Sequence, residues 1–126
     1  GKIINIASSS IKQPISGLIL SNTFRLGIVG LSKTLAEELG PYNILVNTVA
    51  PGRIATDRIA ELDEITAKKQ NVSMKEITRR AQNAIPLGRY GTPEEFAKFV
   101  VFLVSDVNTY VTGSALMIDG GSVKAI

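Results

Sequence analysis

Apolar positions along the chain follow two different periods. KIINIA (2–7) and ILVNTVAPG (44–52) are short, nearly continuous apolar runs rich in β-branched residues, the pattern of strands covered on both faces. Between them, residues 19–39 place Phe24, Ile28, Leu31, Leu35 and Leu39 at spacings of three and four, which predicts an amphipathic helix. Ser8, Ser9 and Ser10 end the first run, and Pro14 and Gly17 mark a loop. Gly40-Pro41 is a helix stop signal, with Gly40 able to take the left-handed C′ conformation, and Asn43 also tolerates positive φ. Gly27 and Gly30 are poor helix formers, and the expectation is that they allow close packing against a strand or a neighbouring helix. Strand, helix and strand in this order predict a βαβ unit with parallel strands and a right-handed crossover.

From Arg53 to Pro86 the pattern becomes charged and helical, with Ile59, Leu62 and Ile65, then Met74, Ile77 and Ala81. Ser73 and Glu76 have the spacing of a capping box between two helices. An excursion of this kind between two core elements predicts a lid over a site. Thr92-Pro93-Glu94-Glu95 is a helix start: an N-cap, proline at the first position and carboxylates at the positive end. The segment that follows, FAKFVVFLVS, is apolar nearly all round, which predicts burial on more than one side. ALMID (115–119) is a third strand, closed by Gly120-Gly121. The fold class is therefore α/β, with at least three parallel strands.

Composition narrows the chemistry. With 126 residues, 44% hydrophobic and 20% charged, the chain is one globular domain at most, small for an α/β enzyme. No cysteine is present, so disulfides, thiolate nucleophiles and zinc–thiolate sites are excluded. No histidine is present either, so the usual metal ligand and the usual neutral-pH base are missing, and no metal site is expected. Hydroxyls, lysines, arginines, carboxylates and backbone groups remain. The net charge of +3 permits nucleic-acid binding. Yet Lys68, Lys69, Lys75, Arg79 and Arg80 alternate with Asp63, Glu64 and Glu76, which reads as a solvated helix face rather than a phosphate track. No run of about 18 apolar residues predicts a membrane helix, no signal peptide is legible, and a cytoplasmic location is the expectation. The chain opens at Gly1 and enters a strand at once, so it is expected to be a piece of something longer.

In an open parallel sheet, ligands bind beyond the carboxyl ends of the strands. Those ends carry Ser8–Ser10, then Pro51-Gly52-Arg53-Ile54-Ala55-Thr56, then Asp119-Gly120-Gly121. The helix beginning near Leu20 starts at the same edge with a polar cluster, Ser21, Asn22, Thr23 and Arg25. Ser8, Ser21, Arg25 and Thr56 are thus candidates for one cleft, against the plainer reading of a serine after a strand as a turn former.

Four stretches carry a resemblance over essentially the whole chain: GKIINIAS, SKTLAEELGPYNILVNTVAPGRIATD, PLGRYGTPEEFAKFVVFLVSD and YVTGSALMIDGG. The chain resembles the C-terminal half of a short-chain dehydrogenase/reductase of the 3-oxoacyl-carrier-protein-reductase-like kind. The resemblance implies the C-terminal part of a Rossmann-type, doubly wound parallel sheet, namely the fifth, sixth and seventh strands of the family. In that family a serine polarises the substrate carbonyl, a tyrosine moves the proton, and a lysine four residues on lowers the tyrosine pKa and binds the nicotinamide ribose. The serine carries over to Ser8. The tyrosine position falls on Ser21 and the lysine position on Arg25, so both are replaced.

By the same resemblance the backbone around Pro51, Gly52 and Ile54 meets the nicotinamide carboxamide, Thr56 meets the pyrophosphate, and Arg25 keeps a cation for the ribose. The implied cofactor is NAD or NADP. The glycine-rich turn that would seat the pyrophosphate on a helix N-terminus has no counterpart in these residues. A partner N-terminal half, in the same or a separate chain, is therefore expected. So is a homo-oligomer, dimer or tetramer, built through the 20–39 helix and the 93–119 segment, with Phe99, Val101 and Phe102 either at that interface or in the monomer core. The expected activity is oxidation or reduction of a small-molecule carbonyl/alcohol pair with an atypical proton donor. The alternative is a catalytically silent cofactor binder acting as a sensor or oligomer partner. Neither a nucleic acid nor a membrane is an expected partner.

Overall fold

A computed structural model describes residues 1–126. Three parallel strands, β1 (Lys2–Ile6), β2 (Leu45–Pro51) and β3 (Ala115–Ile118), form one sheet in the order β1-β2-β3. Lys2 pairs with Leu45 and Ile6 with Val49, while Thr48 pairs with Ala115 and Pro51 with Ile118. Helix α1 (Ile19–Leu39) makes the β1–β2 crossover, α2 (Asp57–Gln70) and α3 (Met74–Asn83) form an excursion, and α4 (Pro93–Val104) leads to β3. The three strands, α1 and the start of α4 fall within a residue or two of where the sequence puts them, and α2 and α3 lie inside the helical excursion expected over 53–86.

β2 is the buried centre: Val46, Asn47, Thr48, Val49 and Ala50 are almost inaccessible. Its two polar members are satisfied, as buried polar groups must be. Asn47 donates to the Val111 carbonyl at 2.8 Å and accepts from the Ser114 N–H at 3.1 Å. Thr48 donates to Ser32 Oγ at 2.8 Å, and Ser32 donates to the Ile28 carbonyl one turn back in α1. Asn5 of β1 also donates to Ser32 Oγ. A small polar network therefore fixes α1 against β1 and β2. No helix is long and apolar enough to cross a membrane.

Several local expectations are corrected. The inner face of α1 is Ser32 and Ala36 with Ile28, Leu35 and Leu39 beside them, whereas Phe24 and Leu31 turn outward, at 70% and 49% exposure. Gly27 and Gly30 lie on that outer side, and a Cβ on either would meet nothing within 4 Å. They do not serve close packing within this chain. Gly40 keeps right-handed helical angles (φ −53°), and the left-handed position falls three residues on at Asn43 (φ 56°), because a 3₁₀ turn over Gly40–Tyr42 extends the helix.

Ser73 caps α3 by accepting from the Glu76 N–H, but Glu76 does not reach back. Its carboxylate is drawn instead to Arg79 and Arg80. The complete capping box is at α4, between Thr92 and Glu95. β1 is not covered on both faces: it is an edge strand here, and Ile6 is half exposed. Helix α4 buries only Leu103 fully. Val101 and Phe102 remain 60% and 41% exposed, so the monomer core does not hold them.

Candidate active site

The site is built where β1 and β2 end. β1 stops at a tight turn over Ser9–Ile11, with Ser8 in extended conformation capping it: Ser8 Oγ accepts from the Ser10 N–H at 3.3 Å. Ser8 is half-buried, and its own O–H is uncommitted. Ser10 is buried, and its hydroxyl has no hydrogen-bond partner.

β2 ends at Pro51, and Gly52 follows because nothing larger fits. A Cβ there would lie 2.7 Å from Asp119 Cβ and 2.8 Å from its Cα. Within the chain, the close approach at this glycine is to Asp119, at the end of β3. Thr56 then caps α2, accepting from the Ile59 N–H at 3.4 Å. Capping uses only an acceptor lone pair, so the Thr56 O–H stays free to donate.

Two hollows share this edge. A cavity of about 570 Å³ is lined by Ser8, Pro51, Gly52 and Arg53 on the sheet side and by Ile59, Leu62, Ala81, Ala84 and Ile85 of the α2–α3 excursion and the turn after it. A shallower cleft of about 340 Å³ runs past Ile6, Pro51, Gly52, Ile54 and Thr56. The candidates Ser8, Pro51, Gly52, Ile54 and Thr56 are thus brought to one edge.

Ser21 and Arg25 line neither hollow. Arg25 donates from Nη1 to the Ile6 carbonyl at 3.0 Å, which ties α1 to the end of β1, two residues before Ser8. Ser21 sits one helical turn earlier, half-buried, and its hydroxyl makes no hydrogen bond within the chain. Its neighbours are committed: Asn22 clamps the backbone of Ile15 through both amide atoms, and Thr23 bonds back to Ile19.

Sequence reasoning missed one cluster. Asp63, assigned to the solvated face, is 2% exposed. Arg53 Nη1 donates to Asp63 Oδ1 at 2.6 Å, while the Tyr90 hydroxyl donates to Oδ2 at 2.6 Å and Thr78 donates to the same oxygen at 3.5 Å. Burial first, then the bond to Asp63, push the Tyr90 phenol above its ordinary range. The missed signal was periodic: Ile59, Asp63 and Ala67 are four apart and share the inner stripe of α2. The other charges are solvated and five of them pair, as Lys68 meets Glu64 and Arg79 and Arg80 meet Glu76. A second missed pair is Arg89 with Glu95, which is bidentate at 2.7 and 2.8 Å.

Residues 1–123 match the family described as enoyl-(acyl carrier protein) reductase. The chain is 41% identical over 121 residues to the 3-oxoacyl-[acyl-carrier-protein] reductase FabG of Aquifex aeolicus, covering 96% of this chain and 44% of that protein. A crystal structure of a short chain dehydrogenase family protein from Francisella tularensis superposes with a TM-score of 0.93 at 31% identity, over 97% of this chain and 50% of that one. The chain belongs to the short-chain dehydrogenase/reductase family. Another family member, the NADPH-dependent reductase BacG of Bacillus subtilis, is 36% identical over 126 residues, all of this chain and 49% of that protein. The chain thus spans about half the length of the curated relatives it matches. Its three strands form part of the parallel Rossmann-type sheet of the short-chain dehydrogenase fold.

Proposed function

We propose that these residues are the C-terminal half of an NAD(P)-dependent oxidoreductase that interconverts a carbonyl and an alcohol, with a proton-donor site unlike the family's tyrosine and lysine. The observation that carries this reading is the gathering of Ser8, Pro51, Gly52, Ile54 and Thr56 along one sheet edge, in hollows deep enough for a small substrate beside a cofactor. The edge fits the nicotinamide end of such a cofactor: the cleft is open, and the Thr56 hydroxyl has a proton to give to a phosphate oxygen. The relative BacG is named as NADPH-dependent, which supports the same cofactor class. A bound nicotinamide supplies or accepts the hydride.

The chain's own residues do the rest. The free Ser8 O–H donates to the substrate oxygen and polarises the carbonyl. Ser21, alone among the polar front of α1 in having no partner, is the hydroxyl this reading assigns to proton movement. A tyrosine pKa of about 10 is brought toward neutral by a neighbouring cation. An aliphatic hydroxyl is a far weaker acid, so Ser21 forgoes part of the roughly 10²–10⁴-fold that general acid catalysis contributes. Arg25 keeps the positive charge at this edge with a planar fork in place of a point charge.

The α2–α3 excursion acts in this reading as the lid, the exposed edge of β1 receives an N-terminal half from the same or a separate chain, and the outer face of α1 serves a homo-oligomer. One observation favours the silent reading instead: Arg25 is occupied with the Ile6 carbonyl, and neither it nor Ser21 lines a hollow. Turnover of NADPH and NADH with a panel of ketones, on the full-length natural polypeptide, separates the two. The expected result is slow, measurable turnover that drops about 100-fold in Ser8→Ala, within the range of a lost polarising donor. A natural protein without turnover that gains it through Ser21→Tyr with Arg25→Lys would establish the silent reading.

A further inference from the structure

We propose that the cavity beside Ser8 takes a substrate bearing a carboxylate, received by the Nε–Nη2 edge of Arg53. This rests on the oxidoreductase reading for the assignment of that cavity to substrate. Of the 13 residues lining it, Arg53 is the only charged one, and the rest are serines or apolar and small residues. A single guanidinium in a largely apolar pocket of about 570 Å³ sets the orientation of what binds there.

The guanidinium is held by one end only. Nη1 donates to Asp63 Oδ1 at 2.6 Å and to the Tyr90 hydroxyl at 3.3 Å, and the guanidinium carbon stands 5.7 Å from the centre of the Tyr90 ring. Asp63 is itself fully enclosed, with its second oxygen taken by Tyr90 and Thr78. Three segments, from α2, α3 and the loop before α4, thus lock the Nη1 end of Arg53. Nε and Nη2 make no hydrogen bond in the chain, while the side chain is 41% exposed. Two parallel, unpartnered N–H donors on a planar fork match the two oxygens of a carboxylate.

Charge narrows the anion further. Asp63 already offsets the Arg53 charge from behind, so the free edge acts as a pair of hydrogen-bond donors, and a monoanion adds one negative charge beside the buried carboxylate where a phosphate dianion would add two. The apolar lid side, Leu62, Ala81 and Ile85, then covers the substrate's hydrocarbon body.

The test uses the full-length natural polypeptide with NADPH and three aryl keto acids of graded length: 2-oxo-4-phenylbutanoate, 4-oxo-4-phenylbutanoate and 5-oxo-5-phenylpentanoate, each beside its methyl ester. At least one acid is expected to exceed its ester by about ten- to a hundredfold in kcat/KM and in calorimetric affinity, the range of a charge-assisted hydrogen-bond pair. Arg53→Gln brings that ratio to near one. Because that variant strands Asp63 without its cation, Arg53→Gln with Asp63→Asn is measured beside it and shows the same loss.

Equal values for acids and esters in the natural protein, or an acid preference that survives in the double variant, overturn the carboxylate site. A natural protein that binds an acid in preference to its ester but turns over none of the six compounds keeps the site and overturns the oxidoreductase reading. Turnover of esters and acids alike does the reverse.

Discussion

Ser21, Asn22, Thr23 and Arg25 stand within five positions, yet the fold gives each a different task. Asn22 and Thr23 close local hydrogen bonds, Arg25 fastens α1 to β1, and only Ser21 is left with a free hydroxyl. Residue type alone would have ranked them together. The same holds for two carboxylates of α2: Glu64 pairs with Lys68 in solvent, while its neighbour Asp63 is sealed against Arg53 and Tyr90. At this scale the firmest prediction concerns Gly52. Its Cβ would fall 2.7 Å from Asp119 Cβ, inside contact distance of another strand's end rather than a flexible tip. Gly52→Ala should therefore destabilise by about 1–3 kcal/mol, read as a lowered urea midpoint with unchanged slope. An unshifted midpoint would mean that the β2 and β3 ends part without strain.

Elements are set at their ends. Helix α4 begins with a reciprocal box in which Thr92 Oγ1 accepts from the Glu95 N–H at 3.2 Å and Glu95 accepts from the Thr92 N–H at 2.8 Å. Glu95 also takes both arms of the Arg89 fork, and these partners, Arg89 first, hold its carboxyl at about 2 rather than 4.5. A depressed carboxylate pKa stabilises the fold above the unfolded value, and the benefit fades as pH falls from about 4.5 through about 2. Glu95→Gln should accordingly melt lower than the natural protein at pH 7, with the gap narrowing steadily below pH 4.5. Because the pair is exposed, added salt should also shrink it. A gap that stays constant with pH would assign Glu95 a role through packing instead of charge.

For the whole molecule, the decisive feature is apolar surface that this chain leaves uncovered. Leu20, Phe24 and Leu31 fall on one outward stripe of α1 at spacings of four and seven, with the bare backbone of Gly27 between them. Apolar helix stripes of this kind are covered by a neighbour, and the homo-oligomer proposed above supplies one. Phe24→Glu combined with Leu31→Glu should convert the full-length protein to a smaller species by light scattering on a sizing column. If mass and elution stay those of the natural oligomer, another face carries the association.

The sequence by itself determined the order and kind of every strand and α-helix, because apolar spacing, the stop signal at Gly40-Pro41 and the start signal at Thr92-Pro93 are local properties of the chain. It also determined that Ser8 follows the first strand and that Ser21 and Arg25 stand at the front of the helix after it. Tertiary structure decided which partners those residues meet. That Gly52 is held by Asp119, that Gly27 and Gly30 face open space, that Phe24 turns outward, and that Asp63 is buried all depend on segments dozens of residues apart being folded together. Periodicity reports which residues share a face; only packing reports what that face is turned toward.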